Sequence, residues 1–153
     1  MSIPNLLQVR EVEITYKNHP DLLQRPKIAQ TTDVVDIMRS VENMQKNIDY
    51  KEVFYAIYVN QGGRVLSVGK VAEGTATCCQ ANIRQILQGA LLQNATGLFI
   101  CHNHPSADTK PSRQDRQITA MVKDAVNLLD IQLIDSLIIS SFNYFSFLEN
   151  GLI

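Results

Sequence analysis

Two histidines stand one residue apart, shortly before an aspartate, in the second half of the chain. His102 and His104 flank a single asparagine, and Asp115 follows a loop bounded by Pro105 and Pro111. Imidazole nitrogens and a carboxylate oxygen are donors that zinc accepts. Catalytic zinc commonly takes three such ligands and keeps a fourth position open for water. The spacing therefore predicts that His102, His104 and Asp115 hold one zinc ion per chain.

The residues around the histidines predict how the three side chains reach one point. Residues 97–101 form a short apolar run typical of a buried strand, so the histidines lie where this strand ends. Alternate side chains of an extended backbone share a face, and the two imidazoles can therefore point at the same atom. A helix is predicted to open near Ser112, which puts Asp115 in its first turn.

Ser112 and Asp115 also have an ordinary structural explanation. A serine at the N-cap with an acid three residues later is a capping-box arrangement that stabilises any helix start. Taken alone, this pair is interpreted as a cap. The two neighbouring histidines favour the metal site. His19, beside a proline in a polar turn, is interpreted as an ordinary surface residue.

The whole chain predicts an α+β fold, a mixed α/β domain built in layers. Its 153 residues fit one domain. We expect residues 1–50 to contribute an N-terminal strand and helix to that domain, and residues 51–153 to form its metal-binding core. Alternating and apolar runs predict strands at 11–17, 52–59, 64–71, 97–102, 132–140 and 144–148. Helical periodicity predicts helices at 31–46, with Thr32 or Asp33 as N-cap, and at 79–93 and 112–129.

Charge and composition limit the classes of partner. The net charge is −1, and no run of lysines and arginines offers the clustered cations that phosphate neutralisation needs, although a local basic patch stays open. No apolar run approaches the roughly 20 residues of a membrane helix, and residues 1–5 do not resemble a signal peptide. Three cysteines, an odd number, favour a reducing compartment, so we expect a cytoplasmic protein without a membrane partner.

The site residues carry a resemblance to a known family. His-x-His, seven residues, Ser, two residues and Asp is the signature of the JAMM (MPN+ or JAB) metalloproteases. More narrowly, residues 101–106 and 111–115 look like the RadC family, the bacterial branch of that fold, and the resemblance extends over 52–153. It implies a JAB/MPN fold: a mixed β-sheet flanked by helices, with a layout similar to that of the cytidine deaminases.

The same resemblance implies roles for two further residues. Glu52 matches the upstream glutamate of the JAMM pattern, whose role is general base; without the family, an acid at a strand start is interpreted as a solvated end. Ser112 would donate a hydrogen bond to the developing oxyanion. The implied activity is a zinc-dependent peptidase or isopeptidase acting on a protein or peptide.

Two other functions stay open. The first is a RadC-like binding module without protease activity that serves DNA repair or a mobile element. The residues before Glu52 are too few to include the helix-hairpin-helix module of full-length RadC proteins, which weakens that alternative. The second is a nuclease, for which Lys110 and Arg113 would bind phosphate. A homodimer could form through strand 11–17 or the last hairpin.

The chain departs from the RadC pattern at two positions. Ala107 stands where related chains usually have glycine, and Ser136 replaces the histidine of an Asp-His pair. The cysteines add no catalytic motif. Cys101 is expected to be a small buried hydrophobe that points away from His102. Cys78 and Cys79 are adjacent rather than Cys-x-x-Cys, which disfavours a nucleobase deaminase.

Overall fold

A computed structural model describes residues 22–76 and 80–153, together with Glu13 and Thr15. His19 and the adjacent Cys78 and Cys79 lie outside the described residues, as does the predicted strand at 11–17 apart from Glu13 and Thr15. A short 3-10 helix at Leu22–Gln24 precedes the regular elements. The helices are α1 (Thr31–Ser40), α2 (Glu42–Asn47), α3 (Ile83–Leu92) and α4 (Arg113–Asn127), and the strands are β1 (Val53–Val59), β2 (Val65–Glu73), β3 (Gly97–Asn103), β4 (Gln132–Ile139) and β5 (Tyr144–Ser146).

The strands form one mixed sheet in the order β2-β1-β3-β4-β5. β1 pairs antiparallel with both β2 and β3, whereas β3 and β4 are parallel and are connected through α4. β5 pairs antiparallel with the end of β4. Helices cover the sheet on both faces, as the α+β expectation and the JAB/MPN fold require.

Alternation along the central strands divides the core between the two faces. One apolar cluster joins α1 and α2 to the odd-numbered residues of β1 and β3, among them Tyr55 and Cys101. The other joins α3 and α4 to the even-numbered residues, among them Phe54 and Ile100. β1 and β3 are buried along their whole length, which explains why they are apolar runs rather than alternating ones. His102 consequently lies on the α4 face of the sheet.

The predicted helix 31–46 is two helices, with a break at Val41. This residue has an extended backbone (φ −71°, ψ 117°). It is both the C-cap of α1 and the N-cap of α2. Side chains bond the carbonyls near the break: the Ser40 hydroxyl donates to Ile37 O at 2.6 Å, and Gln45 Nε2 donates to Arg39 O at 2.7 Å. Periodicity did not predict the break because Met38 and Met44, on either side of it, are both fully buried.

Other helix and strand ends differ from the predicted ones because of local capping and turn formation. The N-cap of α1 is Gln30 rather than Thr32 or Asp33, because Asp33 sits at the third helical position and closes a capping box. α3 begins at Ile83 after an N-cap at Asn82, whose side chain accepts from Gln85 N. β5 ends at Ser146 because the chain then turns.

None of the helices in the described part of the chain has the length and hydrophobicity of a membrane span.

Candidate metal centre

His102, His104 and Asp115 converge on one point at the end of β3. His102 Nε2 lies 3.1 Å from His104 Nε2 and 3.1 Å from Asp115 Oδ1, and His104 Nε2 lies 3.3 Å from Asp115 Oδ2. A tetrahedral ion with donors about 2.0 Å away holds those donors roughly 3.3 Å apart. The two imidazole nitrogens and the two oxygens of this one carboxylate therefore have the chemical type and close spacing that a metal ion requires, and the three residues form a cluster able to bind one.

The strand and the following turn orient the two imidazoles. His102 is 4% exposed, and its ring stacks on Phe54 with centroids 5.5 Å apart and planes 5° apart. His104 follows the strand, and its backbone N–H donates to Ile139 O at 3.1 Å. The Nδ1 of His104 lies 2.7 Å from the Asp108 carbonyl, to which it donates as the Nδ1–H tautomer. That tautomer leaves Nε2 free as a donor to a metal.

The pKa values of Asp115 and His104 shift as expected for an ion-paired cluster. Desolvation opposes ionisation of Asp115. When the Nε2 atoms carry protons rather than a metal, hydrogen bonds from His102 and His104 outweigh that desolvation and lower the pKa of the carboxyl. Desolvation likewise opposes charging of His104. Its pKa is nevertheless raised, because it bonds to Asp115 and Asp108 and faces the carboxylates of Asp115 and Glu52. The carboxylates around His104 thus favour a positive charge between the side chains of the cluster.

Ser112 and Asp115 form the predicted helix cap and line the candidate site at the same time. The Asp115 N–H donates to Ser112 Oγ at 3.1 Å, and the Ser112 N–H donates to Asp115 Oδ2 at 2.7 Å. This reciprocal pair closes a capping box at the start of α4. The Ser112 hydroxyl accepts in this bond, so its own hydrogen remains available to a group in the cavity.

Glu52 shares a cavity of about 540 Å³ with His102, His104, Ser112 and Asp115. It precedes β1, and its backbone N–H donates to Thr75 O at 2.8 Å while its carbonyl accepts from Gly74 N at 2.9 Å. Phe54, two residues later, pairs with His102 across the sheet, which brings the start of β1 beside the histidines. All five residues proposed from the sequence therefore line one cavity.

Asn103 is a residue of this region that sequence reasoning missed. It is fully buried on the face opposite the histidines. Its Oδ1 accepts from Val53 N at 2.8 Å, and its Nδ2 lies within hydrogen-bonding distance of the carbonyls of Asn47, Ile48 and Lys51, at 3.0–3.1 Å. The side chain thus holds the segment that carries Glu52 against β3. The available signal was an amide within an otherwise apolar strand.

Ala107, one of the two departures from the RadC pattern, lies in the turn after His104. Ala107 has φ +66°, and its N–H donates to His104 O at 3.0 Å, which positions Asp108 for its contact with the imidazole. The left-handed region costs a non-glycine residue about 1–2 kcal/mol. The family glycine is explained by this conformation, which alanine adopts here under strain.

We expect Ala107→Gly to stabilise the protein slightly. Relief of the left-handed strain, about 1–2 kcal/mol, is partly offset by the greater backbone freedom of glycine in the unfolded chain, about 0.5–1 kcal/mol. The unfolding free energy from urea denaturation should therefore rise by roughly 0.5 kcal/mol. A clear loss of stability would show that the turn does not require this φ.

Ser136 and Cys101 are buried away from the cavity. Ser136 Oγ accepts from Thr119 Oγ1 at 2.9 Å, and its N–H donates to the neighbouring Asp135 carboxylate at 2.7 Å. The second departure from the family pattern therefore contributes to packing between α4 and β4. Cys101 is completely buried on the opposite face from His102, and burial raises the pKa of its thiol.

Comparison with known proteins identifies relatives. The family model for RadC-like JAB domains matches residues 28–152. A UPF0758 protein of Flavobacterium johnsoniae is 33% identical over 132 residues, which cover 86% of this chain and 56% of the relative. A UPF0758 protein of Coxiella burnetii is 36% identical over 102 residues, covering 67% of this chain and 46% of the relative. The chain thus spans about half the length of these relatives.

Proposed function

The chain belongs to the family of RadC-like JAB domains, and from this premise we propose that it is a zinc-dependent hydrolase of peptide or isopeptide bonds. One observation carries the proposal: two imidazole nitrogens 3.1 Å apart, each 3.1–3.3 Å from an oxygen of the same carboxylate, lie in one cavity with a glutamate and a serine. Two imidazoles and one carboxylate match the ligand sets of catalytic zinc sites. The names of the relatives state no activity, so the reaction is inferred from the residues and from their resemblance to the JAMM pattern.

Each of the five residues has a role in this reaction. His102, His104 and Asp115 would hold the ion. A zinc ion bound there supplies Lewis acidity, which polarises a carbonyl and acidifies water. Glu52 takes the proton from the attacking water and returns it to the nitrogen of the leaving amine. The Ser112 hydroxyl donates a hydrogen bond to the oxygen of the reacting carbonyl as negative charge develops on it.

The lining of the cavity disfavours a nuclease. Lys110 and Arg113, the cations considered from the sequence, are not among the described residues that line it, and no other lysine or arginine is. A phosphodiester would enter beside Glu52 and Asp115 with no described lysine or arginine to bind its charge, so the proposed metal ion would have to balance that charge alone. Phosphoryl-transfer sites commonly add arginine or lysine clamps, or a second metal ion, around the phosphate. An uncharged amide bond suits this cavity better.

Metal analysis of the purified protein tests the proposal. Untagged protein prepared without chelator, then equilibrated with zinc and dialysed, should retain close to one zinc per chain. His102→Ala should retain little or none. Asp115→Asn should bind zinc more weakly while preserving most of the capping box, because the amide oxygen of asparagine can still accept from the Ser112 N–H. Wild-type protein that retains no zinc after this treatment would overturn the proposal.

His19→Ala is the matched control for the metal analysis. His19 is the one histidine of the chain that is not a proposed ligand. This variant should retain zinc at the wild-type ratio. Loss of zinc from His19→Ala as well as from His102→Ala would show that the metal is not bound by the cluster alone.

A further inference from the structure

We propose that Ile118 and Met121 of helix α4, together with Ala76 and Ala81, form a subsite for an uncharged, apolar side chain of the substrate. The subsite adjoins Asp115. The inference rests on the proposed function and specifies which class of substrate side chain the site accepts. Its apolar wall consists of Ile118 and Met121 on α4, with Ala76 and Ala81 from the segment that precedes α3. A substrate whose scissile carbonyl lies at the cluster would place a neighbouring side chain against this wall.

The helix itself produces the arrangement. Asp115, Ile118 and Met121 follow one another at intervals of three residues, so they are neighbours along one face of α4. All three line the same cavity. Ile118 is half-buried, whereas Met121 is 56% exposed and is one of the large apolar side chains that the fold leaves in solvent. The apolar surface therefore starts next to the proposed ligand and continues outward.

The polar part of the lining carries no described cation. Apart from the two histidines, its charged residues are Glu52 and Asp115, and its other polar residues are neutral: Gln80, Ser106, Ser112, Gln114 and Gln117. An acidic substrate side chain would lose hydration and gain no ion pair there, which is costly. A basic side chain would have to lose water against Ile118 and Met121. An aliphatic side chain meets neither cost.

The size and flexibility of the wall fit an aliphatic group. The cavity, about 540 Å³, lies within the range of about 300–1,000 Å³ that is usual for small-ligand sites. Methionine has three rotatable bonds and a polarisable sulfur, so Met121 can adapt its shape to different aliphatic groups. We therefore expect preference for apolar side chains as a class, with limited discrimination among leucine, isoleucine and methionine.

Hydroxamates of N-acetylated amino acids test the subsite, because the hydroxamate binds zinc and the side chain reports its surroundings. Calorimetric titration of zinc-loaded protein should give an affinity for the leucine derivative about tenfold higher than for the glycine derivative. The glutamate derivative should bind more weakly than the glycine derivative. In Met121→Glu the advantage of leucine over glycine should fall at least fivefold, while affinity for the glycine derivative changes little.

Leu128→Glu is the matched control, because Leu128 is 88% exposed at the far end of α4 and does not line the cavity. This variant should bind the leucine, glycine and glutamate derivatives with wild-type affinity. Equal affinities for leucine and glycine derivatives on zinc-loaded wild-type protein would overturn the subsite without requiring any variant. If the protein retains no zinc, the proposed function and the subsite both fail. If leucine is preferred but no peptide is cleaved, catalysis fails and the subsite stands.

Discussion

Glu52→Gln is expected to lower the rate of hydrolysis by about 10²–10⁴-fold, the usual contribution of a positioned general base. Glutamine is nearly isosteric with glutamate but does not accept the proton of the attacking water at neutral pH. The metal donors are untouched, so zinc content should stay at the wild-type ratio. Turnover can be followed by mass spectrometry on a mixed library of peptides and isopeptides, with zinc measured on the same samples.

The matched control for this rate is Glu42→Gln. Glu42 is an exposed residue of α2 that pairs with Lys46 and does not line the cavity. The Glu42→Gln protein should cleave peptides at the wild-type rate. Glu52→Gln protein that retains zinc and also cleaves at the wild-type rate would exclude Glu52 as the base, and proton transfer would then need another group.

Asn103→Ala is expected to cost about 3 kcal/mol or more of unfolding free energy, because it leaves buried polar groups without partners. The buried Val53 N–H and the partly buried carbonyls of Ile48 and Lys51 lose this side chain as a partner. The Asn47 carbonyl still accepts from the backbone N–H of Tyr50 at 2.9 Å. Such a loss is a large part of the stability of an ordinary domain. Urea unfolding measures it. Hydrogen exchange at the Val53 amide should also accelerate more than exchange in β4.

Two comparisons separate this effect from a general intolerance of substitution. Asn150→Ala removes one hydrogen bond, from Nδ2 to Ser146 O at 2.7 Å, at an exposed residue, and should cost far less. Asn103→Asp keeps an acceptor for Val53 N but opposes a carboxylate to three carbonyl oxygens, so it should be destabilised too. If Asn103→Ala unfolded at the wild-type urea concentration, the buried amide would have no structural role.

The cluster of His102, His104 and Asp115 could be predicted from the sequence because its geometry is local. His102 and His104 share a face through strand alternation, and Asp115 is placed by a helix cap that Ser112 makes recognisable. The loop between them is short and bounded by prolines. These features depend on few long-range contacts, and the structure brings the three side chains together as their spacing predicted.

Glu52 and Asn103 depend instead on pairing between distant parts of the chain. Glu52 reaches the cavity because β1 pairs with β3 in a register that places Phe54 beside His102. Residue patterns predict both strands but do not determine that register, so the residue was assigned through family resemblance alone. The contacts of Asn103 likewise reach the segment before β1. The break at Val41 was missed because both halves of the helix bury the same face.

Asp115 belongs to two equilibria, since one carboxylate closes the capping box of α4 and also faces both histidines. A ligand that binds the folded cluster adds its binding free energy to folding. Fraying of the first helical turn would move the same oxygens and weaken that binding. Occupancy of the site and the order of this turn are therefore thermodynamically reciprocal: neither can change without altering the other.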